Sequence, residues 1–324
     1  MTDFWRGANV LITGVSGTLG TALSKHLLSD EYGISRLAGI ARKWQPVKEL
    51  ETKLSDKRFR PFIGDVRDIE RLRLALRGVD IVIHAAALKD VLLGQYNPTE
   101  IVQTNVSGSD NVFRAALDCG VKRVMFISSD KACNADNAYG SSKHLAECLA
   151  VSYNSYSGSG ETRYSACRYG NVAGSSGSVI PLFISQRESG RLTITHDKMT
   201  RFWITLDEAV SFVLRATEEM MGGEIFVPRL YSTRIVNLAT AIAPTATIEV
   251  VGIRPGEKLH EVMISISEAR STQDVGWAYR IEPQFNSWSN SPYPGGSPVP
   301  FDFIYSSASA PRLTDDQIKV IVGG

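Results

Sequence analysis

An apolar run, Val10-Leu11-Ile12, leads directly into Thr13-Gly14-Val15-Ser16-Gly17-Thr18-Leu19-Gly20 and then into a segment with helical spacing. TGxxGxxG between a strand and a helix makes a turn that brings backbone close to a pyrophosphate. Gly14 permits the tight turn, Gly17 lets the chain approach the phosphates, and Gly20 lets the helix pack near the sheet. The free N–H groups at the helix start, with the helix dipole, then face the anion. A glycine triplet alone can be a plain turn. Here strand, spacing and helix agree on a dinucleotide site.

The same rhythm continues for about 170 residues. Ala8 to Thr13, Leu37 to Ala41, Phe59 to Ile63, Asp80 to Ala85, Val124 to Ser128 and Thr162 to Tyr169 read as strands. Leu19–Leu28, Ile69–Leu76, Thr99–Leu117 and Tyr139–Tyr153 carry helical periodicity between them. Alternation of this kind implies right-handed crossovers and a parallel sheet covered on both faces, an α/β doubly wound (Rossmann) fold. After Gly170 the rhythm breaks, and residues 171–324 read mainly as a smaller C-terminal lobe that binds substrate, with some segments returning to the sheet. From Ser267 to Pro311 the chain is rich in Ser and Pro. Trp277, Tyr279, Phe285, Trp288, Tyr293, Phe301, Phe303 and Tyr305 are too many aromatics for a solvated linker, so an ordered, loop-rich segment packed on the first domain is expected.

Composition removes other classes. With 35 basic and 34 acidic residues the net charge is +1, so the electrostatic footprint of a nucleic-acid binder is missing. No uncharged apolar run approaches a membrane span. The start, MTDFWRGANV, does not read as a signal peptide, and a cytoplasmic protein is expected. Cys119, Cys133, Cys148 and Cys167 form no CxxC pair, and the five histidines form no HxH or HExxH, so no metal site is expected.

Further along, the second strand ends in Arg42-Lys43, where an acidic residue would hold the ribose 2′-hydroxyl of NAD. The basic pair suits a 2′-phosphate, which makes NADP the expected cofactor; the plainer alternative is a solvated pair. Asp65 and Val66 follow the third strand near the expected adenine, and Ala85 and Ala86 end the fourth with small residues. The fifth strand runs into Ser129-Asp130-Lys131, and Tyr139-Gly140-Ser141-Ser142-Lys143 follows. Tyr139 and Lys143 share one helix face. An ammonium beside a phenol lowers the phenol pKa, so Tyr139 is expected to take a hydroxyl proton during hydride transfer. A surface YxxxK is common; its place after the glycine motif and a serine-bearing strand end gives it chemistry.

Together these motifs resemble the extended short-chain dehydrogenase/reductase family. Ser129-Asp130-Lys131 is similar to the soluble, C5-inverting UDP-N-acetylglucosamine 4,6-dehydratases of that family, which open pseudaminic acid synthesis. Ala85-Ala86-Ala87-Leu88-Lys89, Tyr96-Asn97-Pro98, Arg168 to Val172, Met199 to Thr205, Gly223 to Pro228 and Ile253 to Glu261 extend the likeness over about residues 5 to 265. The resemblance implies Ser129, Asp130, Lys131, Tyr139 and Lys143 as catalytic residues. It implies contacts to NADP from Gly14, Ser16, Gly17, Thr18, Leu19, Gly20, Arg42, Lys43, Asp65, Val66, Ala85, Ala86, Lys89, Asn105, Tyr139 and Lys143. Lys89, Asn171, Arg201, Arg254 and Glu257 are the implied contacts to UDP-N-acetylglucosamine, the arginines because guanidinium forks match phosphate oxygens. Ordinary surface ion pairs are the alternative for Arg201, Arg254 and Glu257.

In the expected reaction C4 is oxidised, water is eliminated across C5 and C6, hydride returns to C6 and C5 is inverted. Lys131 removes the C5 proton, for which it must be unprotonated, a state that burial favours. Asp130 protonates the departing hydroxyl. The resemblance also implies a homo-oligomer, a dimer or hexamer, with helices Thr99–Leu117 and Tyr139–Tyr156 facing a second subunit. Two departures stand out: Ser129 replaces the usual threonine, and Asp90 occupies a position that typically holds histidine. The rival readings are a UDP-hexosamine 4-epimerase, against which Asp130-Lys131 argues, and a catalytically silent NADP-binding regulator, against which intact Ser129, Tyr139 and Lys143 argue.

Overall fold

The computed structural model describes residues 3–158, 161–175, 177–286, 288 and 292–323. Six parallel strands form its centre: β1 (Asn9–Thr13), β2 (Arg36–Ala41), β3 (Phe59–Ile63), β4 (Ile81–His84), β5 (Arg123–Ile127) and β6 (Arg163–Cys167). They lie in the order β3-β2-β1-β4-β5-β6, so the order reverses between β1 and β4. A ligand crevice opens beyond the carboxyl ends of the strands at such a switch point. In register, Ile12 lies between Gly39 of β2 and Ile83 of β4.

Both faces of this sheet are dry except at the edge strand β3. Val10, Ile12, Leu37, Ile83 and Met125 enter one core, while Leu11, Ala38, Val82, Val124 and Phe126 enter the other. Alternate residues of each strand therefore face different helical layers, which is why the strands read as continuous apolar runs. The helices of this half are α1 (Thr18–Leu27), α2 (Trp44–Leu54), α3 (Ile69–Ala75), α4 (Val91–Tyr96), α5 (Pro98–Ile101), α6 (Gly108–Asp118) and α7 (Ala138–Tyr156). The single helix expected over Thr99–Leu117 is in fact α5, a π-helical turn at Val102–Ser107, and α6.

Beyond Gly170 the chain is more regular than its sequence rhythm suggests. A helix at Leu206–Glu219, started by a capping box between Thr205 and Glu208, packs beside α1. Ile225–Pro228 then adds to β6 in parallel, and Ala278–Ile281, Thr272–Asp274 and Ser297–Pro298 extend the sheet antiparallel. Phe226, Ala278, Ile281, Tyr305 and Ala310 join the same core as β1. The described part of the aromatic-rich segment packs on the first domain, as expected, with short strands and core positions among its loops: Trp277 stacks on Phe226 at 5.7 Å, and Trp288 donates to the Gly222 carbonyl at 3.1 Å. Phe285 and Phe301 are exposed. A separate apolar core, from Ile180, Phe183, Leu192, Trp203, Leu238 and Ile318 among others, holds the smaller lobe. Among the described residues no helix is long and apolar enough to cross a membrane.

Candidate active site

The sheet's carboxyl edge and the smaller lobe enclose a cavity of about 1180 Å³. A pocket for one small ligand is typically ~300–1,000 Å³, so this one has room for a dinucleotide and a second ligand. At one end the glycine turn forms its wall. Gly14 has φ +69°, and a Cβ there would lie 2.9 Å from the backbone of Ala86. At Gly20 a Cβ would come within 2.6 Å of the Gly14 carbonyl and 2.7 Å of Val15 Cα. Backbone on both sides cannot yield, so these glycines hold the α1 start against the ends of β1 and β4, with its N–H groups open to a phosphate. Thr13 completes the frame: its hydroxyl accepts from the Ala86 N–H at 3.1 Å and meets His84 Nδ1 at 2.7 Å. Burial pulls the His84 pKa to about 3, with Lys143 adding to the effect, so His84 is a neutral strut.

Ser16, Gly17, Thr18, Leu19, Arg42, Lys43, Val66, Ala85, Ala86 and Lys89 all line this end, as expected for a dinucleotide. Arg42 and Lys43 are exposed, with no acidic residue at the end of β2. Two expected residues lie elsewhere. The Asp65 carboxylate is held by Arg67, at 2.8 and 3.1 Å, and does not line the cavity. Asn105 is 1% exposed and turned inward, bonding the Leu88 N–H at 2.8 Å, the Leu88 carbonyl at 2.9 Å and Ser142 Oγ at 3.0 Å. The π-helical turn puts it there, where it clamps the loop after β4 to α7 instead of touching a ligand.

The catalytic candidates converge where β5 ends. Ser129 caps a 3-10 turn at Asp130–Ala132, and its hydroxyl donates to Asp130 Oδ1 at 2.9 Å. Lys131 Nζ donates to the same oxygen at 3.0 Å. Asp130 Oδ2 is buried with no partner among the described residues, and Asp130 lines the cavity. Helix α7 reaches this turn because residue 140 is glycine: a Cβ there would sit 2.2 Å from the Lys131 carbonyl oxygen. Asn137 caps α7 by accepting from the Gly140 N–H at 2.8 Å, which brings Tyr139 over Ser129.

Two electrostatic expectations are corrected. Burial does lower the Lys131 pKa, but Asp130 and Glu261 outweigh it, and the net shift is upward; the lysine rests as an ammonium. The Tyr139 pKa is likewise raised, because burial outweighs the Lys131 charge and the Ser129 hydrogen bond. Lys143 does not lower it: its Nζ donates to the Ile127 carbonyl at 2.7 Å, and burial brings its own pKa to about 7.

At the other end Asn171, Arg254 and Glu257 line the cavity, and the Asn171 side-chain oxygen has no partner among the described residues. Arg201 lines it too, but its Nη1 is engaged by the Thr200 and Leu259 carbonyls at 2.8 and 3.3 Å, at the catalytic end. The unusual Asp90 is an N-cap: it accepts from the Leu93 N–H at 2.8 Å and starts α4. Glu261 was not singled out from the sequence, yet it is buried beside Lys131, at 3.4 Å. Its signal was present in the run Ile253 to Glu261, but nothing local in that run points to Lys131.

The chain is a member of the polysaccharide biosynthesis protein family, whose model matches residues 10–283. The chain is 42% identical over 322 residues, covering 97% of it and 96% of the relative, to a UDP-N-acetylglucosamine 4,6-dehydratase (inverting) of Campylobacter jejuni subsp. jejuni serotype O:23/36 (strain 81-176). It is also 37% identical over 322 residues, 97% of this chain and 94% of the relative, to a UDP-glucose 4-epimerase of Rickettsia akari (strain Hartford). Among solved structures, that of Pen from Bacillus thuringiensis matches with a TM-score of 0.90 at 31% identity, covering 99% of this chain and 98% of that one.

Proposed function

We propose that the protein is an NADP-dependent UDP-N-acetylglucosamine 4,6-dehydratase that inverts C5, giving UDP-2-acetamido-2,6-dideoxy-β-L-arabino-hex-4-ulose. The observation that carries this reading is the acid–cation pair Asp130–Lys131, hydrogen-bonded at 3.0 Å against the cavity and beside Tyr139. Oxidation and reduction at C4 alone need Tyr139 and its neighbours; eliminating water also needs a base at C5 and an acid at the 6-oxygen. Near-full-length likeness to inverting dehydratases supports the same choice over the epimerase reading.

NADP would supply the hydride acceptor for C4 and the hydride donor for C6. The glycine turn would hold its pyrophosphate, and Arg42 with Lys43 its 2′-phosphate. Tyr139 takes the proton of the 4-hydroxyl, aided by the Ser129 hydrogen bond and the Lys131 charge, which act against the burial that raises its pKa. The resulting ketone acidifies the C5 proton, which Lys131 removes while Asp130 protonates the departing 6-hydroxyl. A proton then reaches C5 from the opposite face. Arg254, Asn171 and Glu257 would hold the UDP moiety. A cytoplasmic homo-oligomer, dimer or hexamer, completes the proposal; Val102, Leu145 and Tyr156, on the helices expected at the contact, are exposed in the single chain.

The test is incubation with UDP-N-acetylglucosamine, followed by mass spectrometry and NMR of the product. Loss of one water supports the reading. Unchanged mass with altered configuration would mark an epimerase, and no change a silent binder.

A further inference from the structure

We propose that Glu261 is a positioning residue for the elimination step, a buried carboxylate that orients Lys131 and stabilises the ammonium formed when the lysine amine takes the C5 proton. The proposal rests on the dehydratase reading above. Glu261 directly precedes the strand Val262–Ile264, and its side chain is 2% exposed. Its Oε1 lies 3.4 Å from Lys131 Nζ and 3.7 Å from Arg201 Nε. Its Oε2 is buried with no partner among the described residues, and the residue lines the cavity. A carboxylate oxygen left unbonded in the interior costs stability, so a plain structural ion pair accounts poorly for it.

The backbone around it is pinned. The Glu261 N–H donates to Ser307 Oγ at 2.9 Å, and its carbonyl accepts from the Ser307 N–H at 2.8 Å and Ser306 Oγ at 3.3 Å. These bonds fix the backbone from which Glu261 reaches Lys131, on a segment other than the lysine's own turn. The charged and titratable groups facing Lys131 are Asp130, Glu261, Arg201 and Tyr139.

The step balances with these groups alone. A proton passes from Lys131 Nζ to Asp130 along their hydrogen bond, leaving a neutral amine and a carboxylic acid. The amine lone pair takes the C5 proton, and the C5–H electron pair becomes the C5–C6 double bond. The C6–O bond breaks, and the oxygen leaves as water with the Asp130 proton. Lys131 ends as ammonium and Asp130 as carboxylate, as they began. Glu261 keeps its charge throughout. It faces a neutral amine at the start of proton abstraction and an ammonium at the end, so it makes the amine a stronger base, much as a buried aspartate serves a catalytic histidine. The upward shift of the Lys131 pKa, against the effect of burial, agrees with this placement.

The test compares wild type, Glu261→Gln, Glu261→Asp and Lys131→Ala with UDP-N-acetylglucosamine in deuterium oxide. Cofactor reduction, C5 deuterium exchange and water loss are followed separately. Glu261→Gln is expected to reduce cofactor at the wild-type rate, while exchange and water loss fall about a hundredfold. Without the carboxylate, the Asp130–Lys131 pair loses its shared proton at lower pH, so the alkaline limb of the dehydration profile moves down. Glu261→Asp restores part of the rate. Water loss at the wild-type rate, a slow variant with an unmoved limb, or loss of cofactor reduction as well would each overturn the proposal. If the wild type leaves the nucleotide sugar undehydrated, the dehydratase reading itself fails. Stalling of Lys131→Ala after cofactor reduction shows that reading intact while Glu261 is judged.

Discussion

Arg42 stands exposed at the end of β2, where its guanidinium can meet a 2′-phosphate without desolvating anything else. Arg42→Ala is expected to weaken NADP⁺ about tenfold to a hundredfold, the range of a charge-assisted hydrogen bond, and NAD⁺ little. Calorimetric titration with both cofactors checks this, and equal weakening would remove the 2′-phosphate argument. The residues legible in the sequence were those whose partners lie nearby along the chain: Ser129, Asp130 and Lys131 on one turn, Tyr139 and Lys143 on one helix. Glu261 escaped notice because the fold alone brings it to Lys131. The Lys131 charge escaped because Asp130, its neighbour in the chain, reads as the acid for the leaving hydroxyl, while Glu261, the second flanking carboxylate, is brought there by the fold. Asp65 was read as a ligand contact because its partner, Arg67, binds it through a side-chain geometry that spacing does not reveal.

At the scale of elements, the meeting of α7 with the 3-10 turn decides whether Tyr139 and Asp130–Lys131 act on one sugar. Gly140 permits that meeting, and its neighbour there is backbone, which cannot swing away. Gly140→Ala is expected to push the helix and turn apart and to lower kcat at least a hundredfold, with a smaller loss of NADP⁺ affinity because the glycine turn of α1 is a separate element. Steady-state kinetics alongside cofactor titration would check it; normal turnover would show that the helix approach is not limiting. The central parallel strands were readable because both their faces are buried and their runs, such as Val10-Leu11-Ile12 and Val124-Met125-Phe126-Ile127, are apolar. The π-helical turn inside Thr99–Leu117 was not, because one extra residue per turn barely disturbs hydrophobic spacing. Helix α4 was hidden as well: it is short, starts at the atypical Asp90, and exposes Leu92, Leu93 and Tyr96.

The whole molecule is tied together at Arg168, which is 0% exposed. Its guanidinium bonds Glu147 of α7 at 2.7 and 3.0 Å, Glu268 at 2.9 Å and the Met263 carbonyl at 2.8 Å. It thus joins the end of β6 to the later chain that carries Glu261. Removing one partner strands the other buried charges, so Arg168→Met is expected to cost about 3–5 kcal/mol, measured by denaturant unfolding. A change below 1 kcal/mol would mean the network is incidental. Burial acts to raise the Glu147 pKa, but Arg168 and other hydrogen bonds outweigh it and hold it at about 2, below the ordinary 4.5. Its contribution is therefore complete above about pH 4.5 and is lost as pH falls towards 2, so wild-type stability should decline across that window. The sequence break at Gly170 hid this union, since the returning strands are short and their partners are set by topology. For the molecule as an enzyme, the deciding measurement is the fate of hydride in UDP-N-acetylglucosamine deuterated at C4. The dehydratase cycle returns it within one active site, so NMR should find the deuterium at C6 of a 4-keto product that has lost water. Deuterium still at C4 in a product of unchanged mass would contradict it.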